Sequence, residues 1–322
     1  MKAAFQTGEA FLSEVRRALG NSERKLWWLG QSGFLLVQNG RALLLDPYLS
    51  DSLTRKYAET DKPHVRITER VVAPDALGGL QVIDVITSSH NHTDHLDPET
   101  LLPLLTRNPQ AKLVIASANR DFVWKRLGAN LSQGTSCFES FNSAVTALSP
   151  SSREKRAGGV EALGTKIYSV ATTSQLVEIN DGTSVRVGSI QIHGVASAHP
   201  TVERDAAGRC LFLGYVVQWN GLTLYHSGDT LMHQALIPSL QRFKIDIALL
   251  PINGDKPERR VAGNLDGIQA AQLAKAVGAR IVIPCHYDLF EFNTATPDPF
   301  MAECERIQQP FRILRNGEGM KL

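Results

Sequence analysis

Val82-Ile83-Asp84-Val85-Ile86-Thr87-Ser88-Ser89-His90-Asn91-His92-Thr93-Asp94-His95-Leu96-Asp97 is the stretch on which the reading turns. Val82–Thr87 is a short, β-branched apolar run that fits a buried strand. It leads directly into a loop that holds three of the nine histidines within six residues. A loop at the C-terminal end of such a strand is where α/β sheets place their sites. In an extended segment, His90 and His92 can point the same way. Asp94 and His95 then turn toward the other side. One loop thus offers two nitrogen ligands to one metal ion, and an oxygen and a nitrogen to a neighbour.

Four ligands on one loop cannot close two metal sites, so others must arrive from elsewhere. His199 follows the apolar run Ile190–Ala198. Asp229 sits in Ser227-Gly228-Asp229-Thr230, and His286 ends Ile281-Val282-Ile283-Pro284. Each is a metal-competent side chain at the end of an expected strand. A mixed nitrogen and oxygen set without thiolate suits Zn²⁺, with Mn²⁺ and Fe²⁺ also compatible. Cys285 adjoins His286, but strand alternation points it the other way.

Outward from this loop, the chain repeats itself. Gly33–Val37 and Ala42–Leu45 flank Asn39-Gly40, and Leu211–Gln218 and Leu222–Tyr225 flank Asn220-Gly221. Asn-Gly between two apolar runs is a strong hairpin signal, because both residues tolerate positive φ. Each hairpin is followed by an acidic loop, an intervening segment and a buried strand, Val82–Thr87 in one half and Ile245–Pro251 in the other. This predicts two similar α/β halves packed sheet on sheet, with helices outside. Lys112–Ala116 reads as a strand. Leu176–Ile179 and Ser184–Ile192 around Asn180-Asp181-Gly182 read as a third hairpin. Gly267–Val277 reads as a helix capped by Gly278, followed by a strand over Arg280–Pro284. The Ser-, Gly- and Ala-rich stretch from about 129 to 173 reads as an excursion, either a lid or interface arm or a surface loop. Residues 1–322 are expected to form a single domain around it.

The bulk numbers fit this picture. The chain has 322 residues, 43% hydrophobic and 20% charged, enough for a sizeable core. Thirty-four Lys and Arg against 32 Asp and Glu leave a net charge of +2. That balance predicts no nucleic-acid partner, which would need a concentrated basic surface. Cys137, Cys210, Cys285 and Cys304 form no C-x-x-C pair and suggest no disulfide framework. Met1–Gly20 reads as an amphipathic helix rather than a signal peptide. No stretch approaches the roughly 18 unbroken apolar residues of a membrane span. The expectation is therefore a cytoplasmic protein acting on a small molecule, and a homo-oligomer is compatible with the sequence.

His90, His92, Asp94 and His95, followed by His199, Asp229 and His286, resemble the signature of the metallo-β-lactamase superfamily: H-x-H-x-D-H, then a distant His, an Asp and a final His. The resemblance runs from about Trp27 to Phe292. It implies an αββα sandwich of two related halves. It also implies that His90, His92 and His199 bind one metal, that Asp94, His95 and His286 bind the other, and that Asp229 bridges them. Trp28–Phe34, Asp46–Asp51 and Pro284–Asp288 look like the branch that includes L-ascorbate-6-phosphate lactonase. The His90–Asp97 loop also resembles that of N-acyl-phosphatidylethanolamine phospholipase D.

Two cations sharing a water would lower its pKa from about 16 toward neutrality. The hydroxide would attack a carbonyl carbon or a phosphorus, with Asp94 orienting it or carrying its proton. The expected activity is hydrolysis of a small ester, a lactone (including a phosphorylated sugar lactone) or a phosphodiester. The alternatives are a phospholipase D-like or nuclease-type phosphodiesterase and a non-enzymatic metal-binding scaffold. A redox di-iron protein is disfavoured, because such relatives carry Glu where this chain has His92. Asp46 and Asp97 are candidates for fixing imidazoles, with a turn or capping role as the other reading. His226 is a weaker candidate of the same kind, and His64, His193 and His233 read as surface or core groups. Lys256–Arg260 is read as a solvated loop, with recognition of a substrate phosphate or carboxylate as its alternative.

Overall fold

A computed structural model describes residues 1–128 and 173–322, so the excursion expected from about 129 lies outside the described residues except at its last position. Thirteen strands are described: β1 (Lys25–Gly30), β2 (Gly33–Gln38), β3 (Arg41–Leu45), β4 (Ile83–Ser88), β5 (Lys112–Ala116), β6 (Leu176–Ile179), β7 (Ser184–Val187), β8 (Ile190–Ala196), β9 (Leu213–Trp219), β10 (Leu222–His226), β11 (Ile247–Pro251), β12 (Ile281–Cys285) and β13 (Gly319–Lys321). They form a seven-stranded sheet ordered β13-β1-β2-β3-β4-β5-β6 and a six-stranded sheet ordered β12-β11-β10-β9-β8-β7.

The two halves repeat as the sequence predicts. β2 and β3 form an antiparallel hairpin, and β4 and β5 then add in parallel. β9 and β10 form the matching hairpin, with β11 and β12 again parallel. Both hairpins close on two residues in the left-handed region, Asn39 and Gly40 at φ 51° and 71°, and Asn220 and Gly221 at 45° and 81°. The positive φ at both positions matches the right-handed twist of the flanking strands. The crossovers match as well. A ten-residue helix links β4 to β5 (Pro98–Arg107) and β11 to β12 (Gly267–Ala276). The second is held at its start by a capping box between Asp266 and Gln269.

Strand alternation sorts the apolar residues into layers. Phe34, Leu36, Leu43 and Leu45 face a core shared with Val217 and Leu224 of the other sheet. Leu35, Val37 and Leu44 face away, onto Phe11 and Val15 of the N-terminal helix Gly8–Gly20 and Leu101 and Leu104 of the crossover helix. Both faces of these strands are covered, which is why they read as unbroken apolar runs. The result is a layered α/β sandwich.

Two expectations need correction. Leu176–Ile179 and Ser184–Ile192 do not pair across Asn180-Asp181-Gly182. β6 joins β5 in the first sheet, whereas β7 pairs with β8 in the second. The chain changes sheets at this turn, with Gly182 donating to the Gly194 carbonyl at 3.0 Å instead of closing a hairpin. The actual hairpin is β7–β8, with Val187 opposite Ile190 and Gly188 at φ 56°. The expected single strand over Ser184–Ile192 is therefore split by a tight turn. The strand β13, which brings the C-terminal segment back onto β1, has no periodic signal in its three residues.

Candidate metal centre

The repeat places its strand ends on one edge of the sandwich. β3 ends at Asp46 and β4 at the His90 loop. β8, β10 and β12 run in one direction in the second sheet and lead to His199, Asp229 and His286. All seven side chains expected to bind metal meet there. His90, His92, His199 and Asp229 form one group capable of holding a metal ion, and Asp94, His95 and His286 a second, with donor atoms in each within 4.8 Å of one another. Asp229 touches both: its Oδ1 is 3.4 Å from His95 Nε2, and its Oδ2 is 3.4 Å from His286 Nε2 and 3.7 Å from His199 Nε2. Asp94 Oδ2 lies 3.7 Å from His95 Nε2 and 3.6 Å from His286 Nε2.

These residues fit a divalent cation. Ligands held at about 2.1 Å in a tetrahedron sit about 3.4 Å apart, close to the spacings around Asp229. Fully buried His90 Nε2, His95 Nε2 and Asp229 Oδ1 have no hydrogen-bond partner. Three orphaned polar atoms, distributed over the two groups, would be costly unless a ligand engages them.

The opposite ring edges are fixed by the protein. His95 Nδ1 contacts Asp46 Oδ2 at 2.7 Å, and Asp46 also accepts from Thr87 Oγ1 at 2.8 Å and the Ser89 amide at 3.2 Å. Ser89 Oγ reaches His90 Nδ1 at 2.9 Å, and His199 Nδ1 meets the Gly263 carbonyl at 2.9 Å. Each contact settles which nitrogen faces the centre. Asp97, in contrast, accepts from Thr100 at 2.6 Å at the start of its helix, the turn role. His226 is buried on the Ser32 carbonyl at 2.8 Å. Cys285 is buried in the core and belongs to neither metal-competent group.

Charge divides the centre. Burial would lower His286, but the Asp229 and Asp94 carboxylates raise it to about 9. His95 is likewise raised despite burial, by Asp229 and Asp94. His90 goes the other way, lowered by burial and by neighbouring imidazoles. Burial would raise Asp94, but His95 and His286 outweigh it and hold the carboxylate ionised.

A cleft of about 580 Å³ opens over the centre. Its walls hold Gln31, His64 and Arg126, which the sequence did not mark as site residues, and part of the Lys256–Arg260 loop, for which it kept substrate recognition as an alternative. Gln31, in the left-handed region at φ 51°, points its Nε2 at Asp94 Oδ2 (2.9 Å) and His286 Nε2 (3.0 Å). Its backbone carbonyl is gripped by Trp28 Nε1 and the His286 amide. His64 lines the cleft between Tyr57, Phe290 and Phe292. Arg126 donates to the Asn91 carbonyl at 2.9 Å and Thr93 Oγ1 at 2.5 Å, bracing the histidine loop. From the Lys256–Arg260 loop, Arg259 is engaged by Asn253, Asn293 and Thr294, and Arg260 pairs with Asp61.

The chain matches the family model of the β-lactamase superfamily domain over residues 25–286. It belongs to that superfamily. A relative from Aeropyrum pernix, named a UPF0173 metal-dependent hydrolase, is 25% identical over 92% of this chain and 96% of its own length. Three further relatives of that name, from Rubrobacter xylanophilus, Chloroflexus aurantiacus and Methanoregula boonei, are matched over only 59%, 60% and 64% of their length. The fold is shared with an isothiocyanate hydrolase from Delia radicum gut bacteria, at TM-score 0.60 and 17% identity over 92% of this chain and 99% of that one. It is shared equally with CmlA, a diiron β-hydroxylase from Streptomyces venezuelae, at TM-score 0.58 and 14% identity over 94% of this chain and 54% of that one. The fold alone therefore does not select the chemistry. Among the described residues, no helix is long and apolar enough to cross a membrane.

Proposed function

We propose that this protein is a metal-dependent hydrolase holding two divalent cations, Zn²⁺ first among them, on His90, His92, His199, Asp94, His95 and His286, with Asp229 between. The observation that carries this reading is the convergence of seven donor side chains, three of whose buried atoms, His90 Nε2, His95 Nε2 and Asp229 Oδ1, have no hydrogen-bond partner. Bound cations would supply a water of lowered pKa and a Lewis-acid contact for the oxygen that gains charge. Asp94 stays ionised at the cleft floor, where it can orient that water and accept its proton. Gln31 donates to the Asp94 oxygen that faces His95 and His286. The hydrolase name of the full-length relative supports the reaction type. The likeness to lactonase and phospholipase D sequences supports an ester, lactone or phosphodiester as the bond cleaved.

The test is metal content of the purified protein by mass spectrometry, together with hydrolysis of a lactone panel and bis(p-nitrophenyl) phosphate. Two equivalents of metal, and activity abolished in His92→Ala, are expected. Protein that takes up no metal on reconstitution would sink the assignment and favour a scaffold. Two metals with oxygen-dependent turnover and no hydrolysis would favour redox chemistry.

A further inference from the structure

The wall of the cleft carries charge that the metal chemistry does not use. Lys56, Lys62, Arg126 and Arg259 all line it. Lys56 Nζ lies 5.1 Å over the Tyr57 ring. Lys62 Nζ lies 5.6 Å over Phe292 and donates to the Glu258 backbone carbonyl at 2.9 Å. Arg126 and Arg259 likewise spend their donors on neutral oxygens. Among the described residues, none of the four pairs with a carboxylate, whereas Arg260 does pair, with Asp61. Four uncompensated positive charges around one opening are a marked excess in a chain of net charge +2. Of the carboxylates that line the cleft with them, Asp94 and Asp229 belong to the cation site, and Asp61 at the rim is paired with Arg260. With cations bound, the cleft therefore carries net positive charge, and low-dielectric walls focus that field. Beside the lysines stands an aromatic wall of Tyr57, His64, Phe290 and Phe292.

We propose, resting on the hydrolase reading, that the substrate is an organic anion. It carries a carboxylate or phosphate away from the scissile bond, seated by Lys56 and Lys62, and an apolar body that lies on the aromatic wall. The lysines are suited to this role because each ammonium keeps donors for a ligand, Lys62 spending one on the Glu258 carbonyl, while Arg126 and Arg259 are tied to several protein oxygens and supply field.

The zinc-loaded protein is assayed with two esters matched in chain and leaving group, neutral 4-nitrophenyl hexanoate and anionic mono-4-nitrophenyl adipate. Binding of hexanoate and of hexyl phosphate is measured by calorimetry, which separates carboxylate from phosphate recognition. The adipate ester is expected to have the higher kcat/KM, by about tenfold, the scale of one charge-assisted contact. That preference should shrink at high salt and vanish in the Lys56→Gln/Lys62→Gln variant, the ratio of the two kcat/KM values falling to about one. Equal rates for the two esters in the native protein would overturn the anion proposal and leave the hydrolase reading standing. No hydrolysis of either ester, but anion binding that the double substitution weakens, would support the anion seat and count against the hydrolase. Anion binding that the double substitution leaves unchanged would place the anion elsewhere and overturn the proposal.

Discussion

At the scale of single residues, the centre is a set of imidazoles whose aim is set by what stands behind them. Asp46 is the clearest case. It is fully buried, accepts from Thr87 and Ser89, and faces His95 Nδ1. Burial would raise its pKa, but His95 and His226 hold it ionised. Asp46→Asn keeps the volume and removes the charge that fixes the His95 tautomer. It should weaken cation binding at the Asp94, His95 and His286 cluster by about 10–100-fold, with the His90 cluster less affected. A zinc competition titration resolving two sites checks this, and equal loss at both sites would count against it. The candidate ligands were legible in the sequence because their chemistry is crowded: His-x-His-x-Asp-His is rare by chance, and the remote partners follow expected strands. Gln31 was not legible. Gly30-Gln31-Ser32-Gly33 reads as a turn, and only the left-handed backbone and the bulge between Trp28 and Gly30 aim its amide at Asp94. His64 was hidden for a similar reason, since two of the three rings around it, Phe290 and Phe292, come from more than 200 residues away.

At the scale of elements, the two halves had to fit closely at their active edge, and one glycine shows how closely. Gly228 sits at φ 58°, and a Cβ there would lie 2.5 Å from Ser89 Cβ. Ser89 is the residue whose hydroxyl reaches both His90 and His95. Gly228→Ala should therefore push the two ligand loops apart. The expected cost is about 1–3 kcal/mol of stability from the strained backbone alone, with loss of cation from both clusters. Urea denaturation and metal analysis on the same preparation test it. Asp266→Ala is the contrasting change. It removes one capping box and should cost about 1 kcal/mol with metal content intact. The Asn-Gly hairpins were legible because a two-residue turn with both φ positive leaves few alternatives. The turn at Asn180-Asp181-Gly182 carries the same residue types but ends a strand of one sheet and starts one of the other. Local turn chemistry says that the chain reverses, and tertiary packing decides which strand it meets. Asn180 shows the difference: its Oδ1 caps the Cys210 amide at 2.9 Å, a contact no local pattern could supply.

At the scale of the whole molecule, the centre ties stability to cations and protons together. In cation-free protein, His286 has its pKa raised to about 9 by Asp229 and Asp94, and His95 is raised in the same way. Their folded pKa values exceed the unfolded value of about 6.5. Their contribution is therefore fully present below about pH 6.5 and lost as pH rises toward 9. His90 is depressed, so its contribution is present above the unfolded value and lost as pH falls through its folded pKa. The two effects oppose each other and place the stability maximum of chelator-treated protein near neutrality, with a decline on the alkaline side. Cations bound at the proposed sites would reverse that decline. They would displace the protons on His95 and His286, so uptake would release protons and tighten as pH rises, and bound cation would stabilise by mass action. Thermal unfolding from pH 6 to 9, with and without zinc, should show Tm falling with pH in the stripped protein and holding or rising in the loaded one, with one cooperative transition if residues 1–322 form a single domain. Parallel profiles with and without zinc would mean that the two carboxylates do not govern His95 and His286, and that the second cluster is no cation site.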